Sequence, residues 1–172
     1  PNHLDWHTDM QEYIDAKRNL VAWQQAGDRT VLNADNAVTN TFSEGLSSSV
    51  SFFSRNQKPQ SGAFLRADGV LCAVNDGEEI PVIPAAEIRI PGVHNVENYL
   101  AAIAALRHEI APETIADFAR EFGGVEHRSE WVRTLDGVKW YNDSIGSSPA
   151  TNEQRTCPCL PTASAAQASA RK

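Results

Sequence analysis

The chain has 172 residues, 41% hydrophobic and 22% charged, with 22 acidic against 15 basic side chains and a net charge of −7. That composition allows one buried core, or one domain plus a piece of another, and argues against wholesale disorder. The acidic balance argues against non-specific nucleic-acid binding, which needs a basic face, and no apolar run approaches the roughly 20 residues that span a bilayer.

Thr8-Asp9-Met10-Gln11 fits a capping box and predicts a helix over about 9–25, with Thr8 as the cap. Met10, Tyr13, Ile14 and Val21 recur at helical spacing, and Lys17 falls on the side of Tyr13 and Ile14. Gly27-Asp28 ends that helix, and Thr30–Asn33 reads as a short buried strand, the helix-then-strand rhythm of a parallel α/β sheet. Residues 39–48 read as polar and irregular. Val50–Phe53, Ala63–Arg66, Val70–Val74 and Ile80–Ile83 read as short strands, and Asp68-Gly69 signals a hairpin between two of them. Asp76-Gly77-Glu78-Glu79 reads as a solvated turn. Pro91-Gly92 breaks the chain before an Ala-rich helix over 95–108, and Pro112 is a good first residue for a second helix ending at Gly123-Gly124. Asp136-Gly137 signals another hairpin between 131–133 and 138–141. Residues 151–172, rich in Ala, Ser, Thr and Pro, have too little apolar surface to offset their ordering entropy and are expected to be disordered.

The chemistry carried by single motifs is sparse. His3 and His7 lie four apart, but Leu4 stands where a zinc protease helix needs Glu. Cys157-Pro158-Cys159 offers two thiolates with no His nearby, too few for a structural metal site. With Cys72 they make an odd count, which suggests a reducing, cytoplasmic compartment. Residues 1–26 are charged throughout, so no signal peptide is expected. Neither GxxxxGK[ST] nor GxGxxG occurs, so the 172 residues contain no phosphate-cradling loop.

Three segments taken together resemble one family, the ATP-dependent Mur ligases of peptidoglycan synthesis. They are Pro1-Asn2-His3-Leu4-Asp5-Trp6-His7 with Tyr13 and Lys17; Pro91-Gly92-Val93-His94-Asn95-Val96-Glu97-Asn98; and Phe122 to Glu130 with Tyr141-Asn142-Asp143-Ser144. The third resembles most the branch that adds D-glutamate to UDP-N-acetylmuramoyl-L-alanine. The resemblance implies an α/β fold. Residues 1–126 would be the C-terminal part of the central ATP-binding domain, a mostly parallel sheet with flanking helices and a small β-rich part. Residues 127–150 would start a Rossmann-like C-terminal domain, and 151–172 would be a disordered or out-of-frame tail.

The same resemblance implies ATP and Mg2+ as cofactors and an acyl-phosphate intermediate. His3 would bind magnesium or lie beside it, and Lys17 would be carbamylated, turning a cation into an anion that can hold the metal. Asn95 and Asn98 would contact adenine, Asn95 doubling as a helix cap. Arg128 would reach the ATP phosphates and Asp143 the ribose or nucleotide. His94 and His127 lie inside matched motifs without an assigned role, and His7 and His108 are read as ordinary. Ile145-Gly146 follows Ser144 where many relatives carry a Lys.

The absence of a P-loop and of an initiating Met, and the change of character after Ala150, lead us to expect an inactive piece of a monomeric, cytoplasmic ligase. A frameshift near residue 150 would account for the tail. Such a piece is expected to expose core surface and to self-associate. Folylpolyglutamate synthase and a non-catalytic nucleotide-binding remnant stand as alternatives.

Overall fold

The structure, a computed structural model, describes residues 7–128, 130–142 and 144. A helix α1 (Met10–Ala22) leads to β1 (Arg29–Asn33), a one-turn helix α2 (Ala37–Thr41) and β2 (Ser49–Ser54). Strands β3 (Gly62–Leu65), β4 (Val70–Asn75) and β5 (Glu78–Pro84) follow, then α3 (Val93–Leu106), α4 (Pro112–Glu121), β6 (Glu130–Leu135) and β7 (Val138–Asn142).

The first five strands form one sheet in sequence order, with β1, β2 and β3 parallel and β4 and β5 added as antiparallel neighbours. Only β4 runs against the other four. The expected parallel sheet and the expected β-rich part are therefore one continuous layer. The parallel step from β2 to β3 uses only residues 55–61. So short a crossover suffices because the two strands overlap through just three pairs, Phe52 with Gly62 to Ser54 with Phe64. Gly62 makes this approach possible: its φ is +132°, and a Cβ there would lie 1.8 Å from the Phe52 carbonyl oxygen. Both predicted turns of the sheet are present. Gly69 N–H donates to Arg66 O at 2.9 Å, and Asp76 (φ +49°) with Gly77 (φ +85°) makes the left-handed turn between β4 and β5. Pro81 is accommodated because β5 is an edge strand with no further ladder partner.

The core sits between this sheet and α3. Ala63, Leu71, Ala73 and Ile83 from the strands meet Tyr99, Leu100, Ile103 and Ala104 from α3, and α4 closes one end with Ile115, Ala116 and Ala119. The other face of the sheet holds a smaller cluster of Phe64, Cys72 and Val74. Lys58 Nζ stands 5.8 Å from the Phe64 ring centroid and pairs with Glu79 at 3.3 Å. Burial pushes the Cys72 thiol up to about 11, so this cysteine is an inert packing group. At the end of α3, Arg107 spreads over the sheet. It donates to Asn75 Oδ1 at 2.9 Å, to Ser51 Oγ at 2.9 Å and to Ser61 Oγ at 2.7 Å.

Three local expectations are corrected. The cap of α1 is Asp9, whose Oδ1 accepts the Glu12 N–H at 2.9 Å, while Glu12 accepts from Thr8 N–H at 2.7 Å. A carboxylate beside the helix N-terminus outcompetes the neighbouring hydroxyl, so the helix begins one residue later than expected and ends at Ala22. Within 39–48, read as irregular, the last residues of α2 are helical because Asn36 Oδ1 accepts from Val38 and Thr39 N–H at 3.0 and 3.1 Å. Asn95 is not a cap, because α3 begins at Val93 behind Gly92. The tail 151–172, with Cys157 and Cys159, lies outside the described residues.

Candidate nucleotide site

Gly92 turns the chain into α3 with φ +109°, and a Cβ there would lie 2.5 Å from His94 Cε1, so the imidazole folds back over the glycine. Asn95 is the third residue of the helix. Its Nδ2 donates to Pro91 O at 2.6 Å, and its Oδ1 accepts from Asn98 Nδ2 at 3.4 Å. One turn apart on a helix, the two amides form a ladder in which each orients the next. Asn98 is exposed and keeps its Oδ1 for a ligand, and a carboxamide can match the mixed donor–acceptor edge of adenine.

Two side chains that sequence reasoning passed over connect this helix to the sheet. Glu97 Oε1 accepts from Arg55 Nε at 2.7 Å, both side chains being about one-third exposed. Asp35, just beyond β1, accepts from Ser54 Oγ at 2.5 Å and from Arg55 N–H at 2.7 Å. Ser54 Oγ in turn accepts from Asn56 and Gln57 N–H at 3.0 and 2.9 Å. Partial burial pushes the Asp35 carboxyl up, but donation from Ser54 and Arg55 outweighs it and leaves the group below the usual carboxylate range. The only local hint was an acid at the carboxyl end of a parallel strand, where α/β sheets place ligand sites.

Lys17 is exposed on α1, with Nζ 5.6 Å from the Tyr13 ring centroid, the i,i+4 neighbour that helical spacing placed beside it. His7 meets the same ring edge-on at 5.5 Å. Arg128 is exposed in the link before β6, its N–H bonded to Val125 O at 3.1 Å. Next to it His127 adopts φ +64°, and Glu130 Oε2 accepts from His127 N–H at 2.9 Å and from Asn142 Nδ2 at 3.5 Å. His127 Nδ1 lies 2.7 Å from Asn142 Nδ2. The turn carrying Arg128 is thus tied to the last residue of β7. His3 and Asp143 lie outside the described residues. Asn95 and Asn98 are brought together. No hydrogen bond or ion pair among the described residues joins them to Lys17 or Arg128.

Among the described residues, no group of three His, Cys, Asp or Glu side chains could hold a metal ion. No described helix is long and apolar enough to cross a membrane.

A mostly parallel α/β sheet lies under a helix that follows Gly92 with Val-His-Asn-Val-Glu-Asn, and residues 1–106 match the Mur ligase middle domain. The chain belongs to the Mur ligase family. It is 46% identical over 149 residues to UDP-N-acetylmuramoylalanine--D-glutamate ligase of Clostridium novyi, and 49% identical over 150 residues to that of Acetivibrio thermocellus. These matches cover 87% of this chain but 31% and 32% of those proteins, so the chain spans about a third of their length. Among solved structures, MurF from Acinetobacter baumannii superposes with a TM-score of 0.63 at 15% identity, covering 86% of this chain and 32% of that one. The UDP-N-acetylmuramate:L-alanyl-gamma-D-glutamyl-meso-diaminopimelate ligase of Neisseria meningitides superposes at 0.53 with 23% identity, over 73% and 38%. At those identities the superpositions speak for the fold.

Proposed function

We propose that this chain is the adenine-holding part of an ATP-dependent ligase that adds D-glutamate to UDP-N-acetylmuramoyl-L-alanine in the cytoplasm. The observation that carries the reading is the Asn95–Asn98 amide pair at the start of α3, in a chain nearly half identical to D-glutamate ligases. In the reaction, the substrate carboxylate attacks the γ-phosphorus of ATP and ADP leaves. The D-glutamate amine then attacks the acyl carbon, loses a proton, and phosphate leaves. A carboxylate is a poor electrophile, and phosphorylation supplies the leaving group it lacks.

Within this scheme Asn98 and Asn95 orient adenine, and Arg128 pairs bidentately with phosphate oxygens. Asp143 holds the ribose or another part of the nucleotide. Residues 1–126 form the C-terminal part of the central domain. Residues 127–150 open a Rossmann-like C-terminal domain, whose described strands β6 and β7 pair as an antiparallel hairpin. Magnesium belongs to the family's reaction; we assign it His3 and the Lys17 carbamate as ligands and route no step through it. The parent enzyme is read as a monomer, and the 172 residues alone, lacking a P-loop motif, as ligation-inactive.

The test is a thermal melt of the chain with and without Mg·ADP. Saturating nucleotide at about 100 times its Kd stabilises by about 2.7 kcal/mol and raises Tm, and Asn98→Ala abolishes the rise. An unmoved Tm at millimolar Mg·ADP would overturn the nucleotide reading.

A further inference from the structure

The link from Asp35 through Arg55 to Glu97 joins three separate segments at one end of the sheet: the turn after β1, the turn after β2 and the second turn of α3. Its bonds are short and directional. Asp35 takes the Arg55 N–H at 2.7 Å and the Ser54 hydroxyl at 2.5 Å, and the Arg55 side chain then reaches Glu97 at 2.7 Å. Ser54 Oγ also collects the N–H groups of Asn56 and Gln57, at 3.0 and 2.9 Å, which fixes the turn from which Arg55 projects. Glu97 lies between Asn95 and Asn98 on the same helical turn. A surface ion pair contributes little to stability, because water already solvates both partners and ordering two long side chains costs entropy. This pair is only partly screened, and its arginine is held at both ends, by backbone and by guanidinium. Such a link suits orientation better than stabilisation.

We infer that Arg55 and Glu97 are positioning residues for nucleotide recognition. They fix the rotation of the first two turns of α3 against the sheet, and so the direction in which the Asn95–Asn98 amide ladder presents its free oxygen to a purine edge. This rests on the adenine reading proposed above. A base such as guanine, with its donor and acceptor exchanged at the six-membered ring, is rejected only when those amides are held still.

The test uses the full 172-residue chain and follows the Asn95 and Asn98 side-chain amide resonances, first without nucleotide and then with Mg·ADP or Mg·GDP. In the absence of nucleotide, Glu97→Gln shifts and broadens both amide signals while Tm stays close to that of the unaltered chain. With nucleotide, Glu97→Gln weakens ADP binding about fivefold and narrows the ADP-over-GDP preference. The charge-swapped pair Arg55→Glu with Glu97→Arg restores most of both, which a general loss of packing would not allow. Unmoved amide signals in nucleotide-free Glu97→Gln overturn the positioning role on their own, as does an unchanged ADP-to-GDP ratio. If the unaltered chain binds no ADP while its amides do respond to Glu97→Gln, the adenine reading fails and the role in recognition fails with it.

Discussion

The antiparallel half of the sheet under α3 and the C-terminal hairpin are both made of short strands joined by Asp-Gly turns, yet they differ in what covers them. Leu71, Ile83, Leu100 and Ile103 are fully buried in the first region. In the second, Trp131 is 58% and Trp140 53% exposed, and no residue of β6 or β7 is buried. α1 belongs with the hairpin in this respect: it has no buried residue, its Leu20 is 75% exposed, and Trp23 just after its end is 82% exposed. Turn chemistry and strand propensity suffice to pair two strands; stability needs a partner layer, and among the described residues only the central sheet has one.

The comparison can be broken where its expected effects are largest. Leu100→Ala removes a side chain wedged between α3 and the strands and costs about 2–5 kcal/mol, whereas Trp140→Ala or Leu20→Ala stays within about 0.5 kcal/mol. Urea melts of the three variants check this, and a large loss at Trp140 would mean that the hairpin has a covering layer after all. Gly62→Ala belongs with the large effects. Its Cβ would collide with the Phe52 carbonyl in a left-handed backbone conformation, and the cost is about 3 kcal/mol. A soluble Gly62→Ala chain with an unchanged melt would show that the β2–β3 junction is looser than its geometry implies. The exposed tryptophans carry the opposite kind of prediction. Replacing Trp131 and Trp140 with Ser lowers concentration-dependent association in sedimentation without lowering Tm.

Smaller effects probe the polar link at the end of β1 and β2. Asp35→Ala strands the Ser54 hydroxyl and Arg55 N–H and costs about 1 kcal/mol, discounted for the exposure of the site. The sign with pH follows from the depressed carboxyl of Asp35. Its stabilising contribution is complete above its unfolded value of about 3.9 and is lost as pH falls through the lower folded value. Melts from pH 7 down to 3 should therefore lose less stability in Asp35→Ala than in the unaltered chain, and the difference should open only below about pH 4.

How far the sequence could be read follows the same division between local and distant causes. The turns at Asp68-Gly69, Asp76-Gly77 and Asp136-Gly137 were legible because a left-handed or tight turn is decided by the two residues in it. The two later helices were legible from alanine content, Pro112 and the flanking glycines, although the first runs over Val93–Leu106 where 95–108 was expected. The start of α1 was misplaced by one residue because Thr8 and Asp9 are both competent caps and only the fold chooses between them. α2 is too short to show an apolar stripe and depends on one amide, Asn36. The Arg55–Glu97 pair spans 42 positions, and although Glu97 stands inside the second matched segment, nothing around Arg55 announces their pairing. Lys17 was legible as a neighbour of Tyr13 from spacing alone, and its ammonium does stand over that ring.

Lys17 also supplies the smallest expected effect and the sharpest separation between stability and function. An exposed ammonium over a tyrosine face contributes about 0.5–1 kcal/mol, so Lys17→Met should move the melt only slightly. A carbamate on the same nitrogen is an anion, and the negative ring face that attracts the ammonium would repel it. Carbamylation must therefore swing the side chain off Tyr13, toward whatever cation or donor stabilises it. In 13C-bicarbonate buffer the unaltered chain should show a carbamate carbon resonance that Lys17→Met lacks, accompanied by a shift of the Tyr13 ring protons. A carbamate signal that persists in Lys17→Met would assign it to another amine. A Tm loss well beyond the cation–π contribution would place α1 among the packed elements, and the contrast between covered and uncovered regions would have to be redrawn.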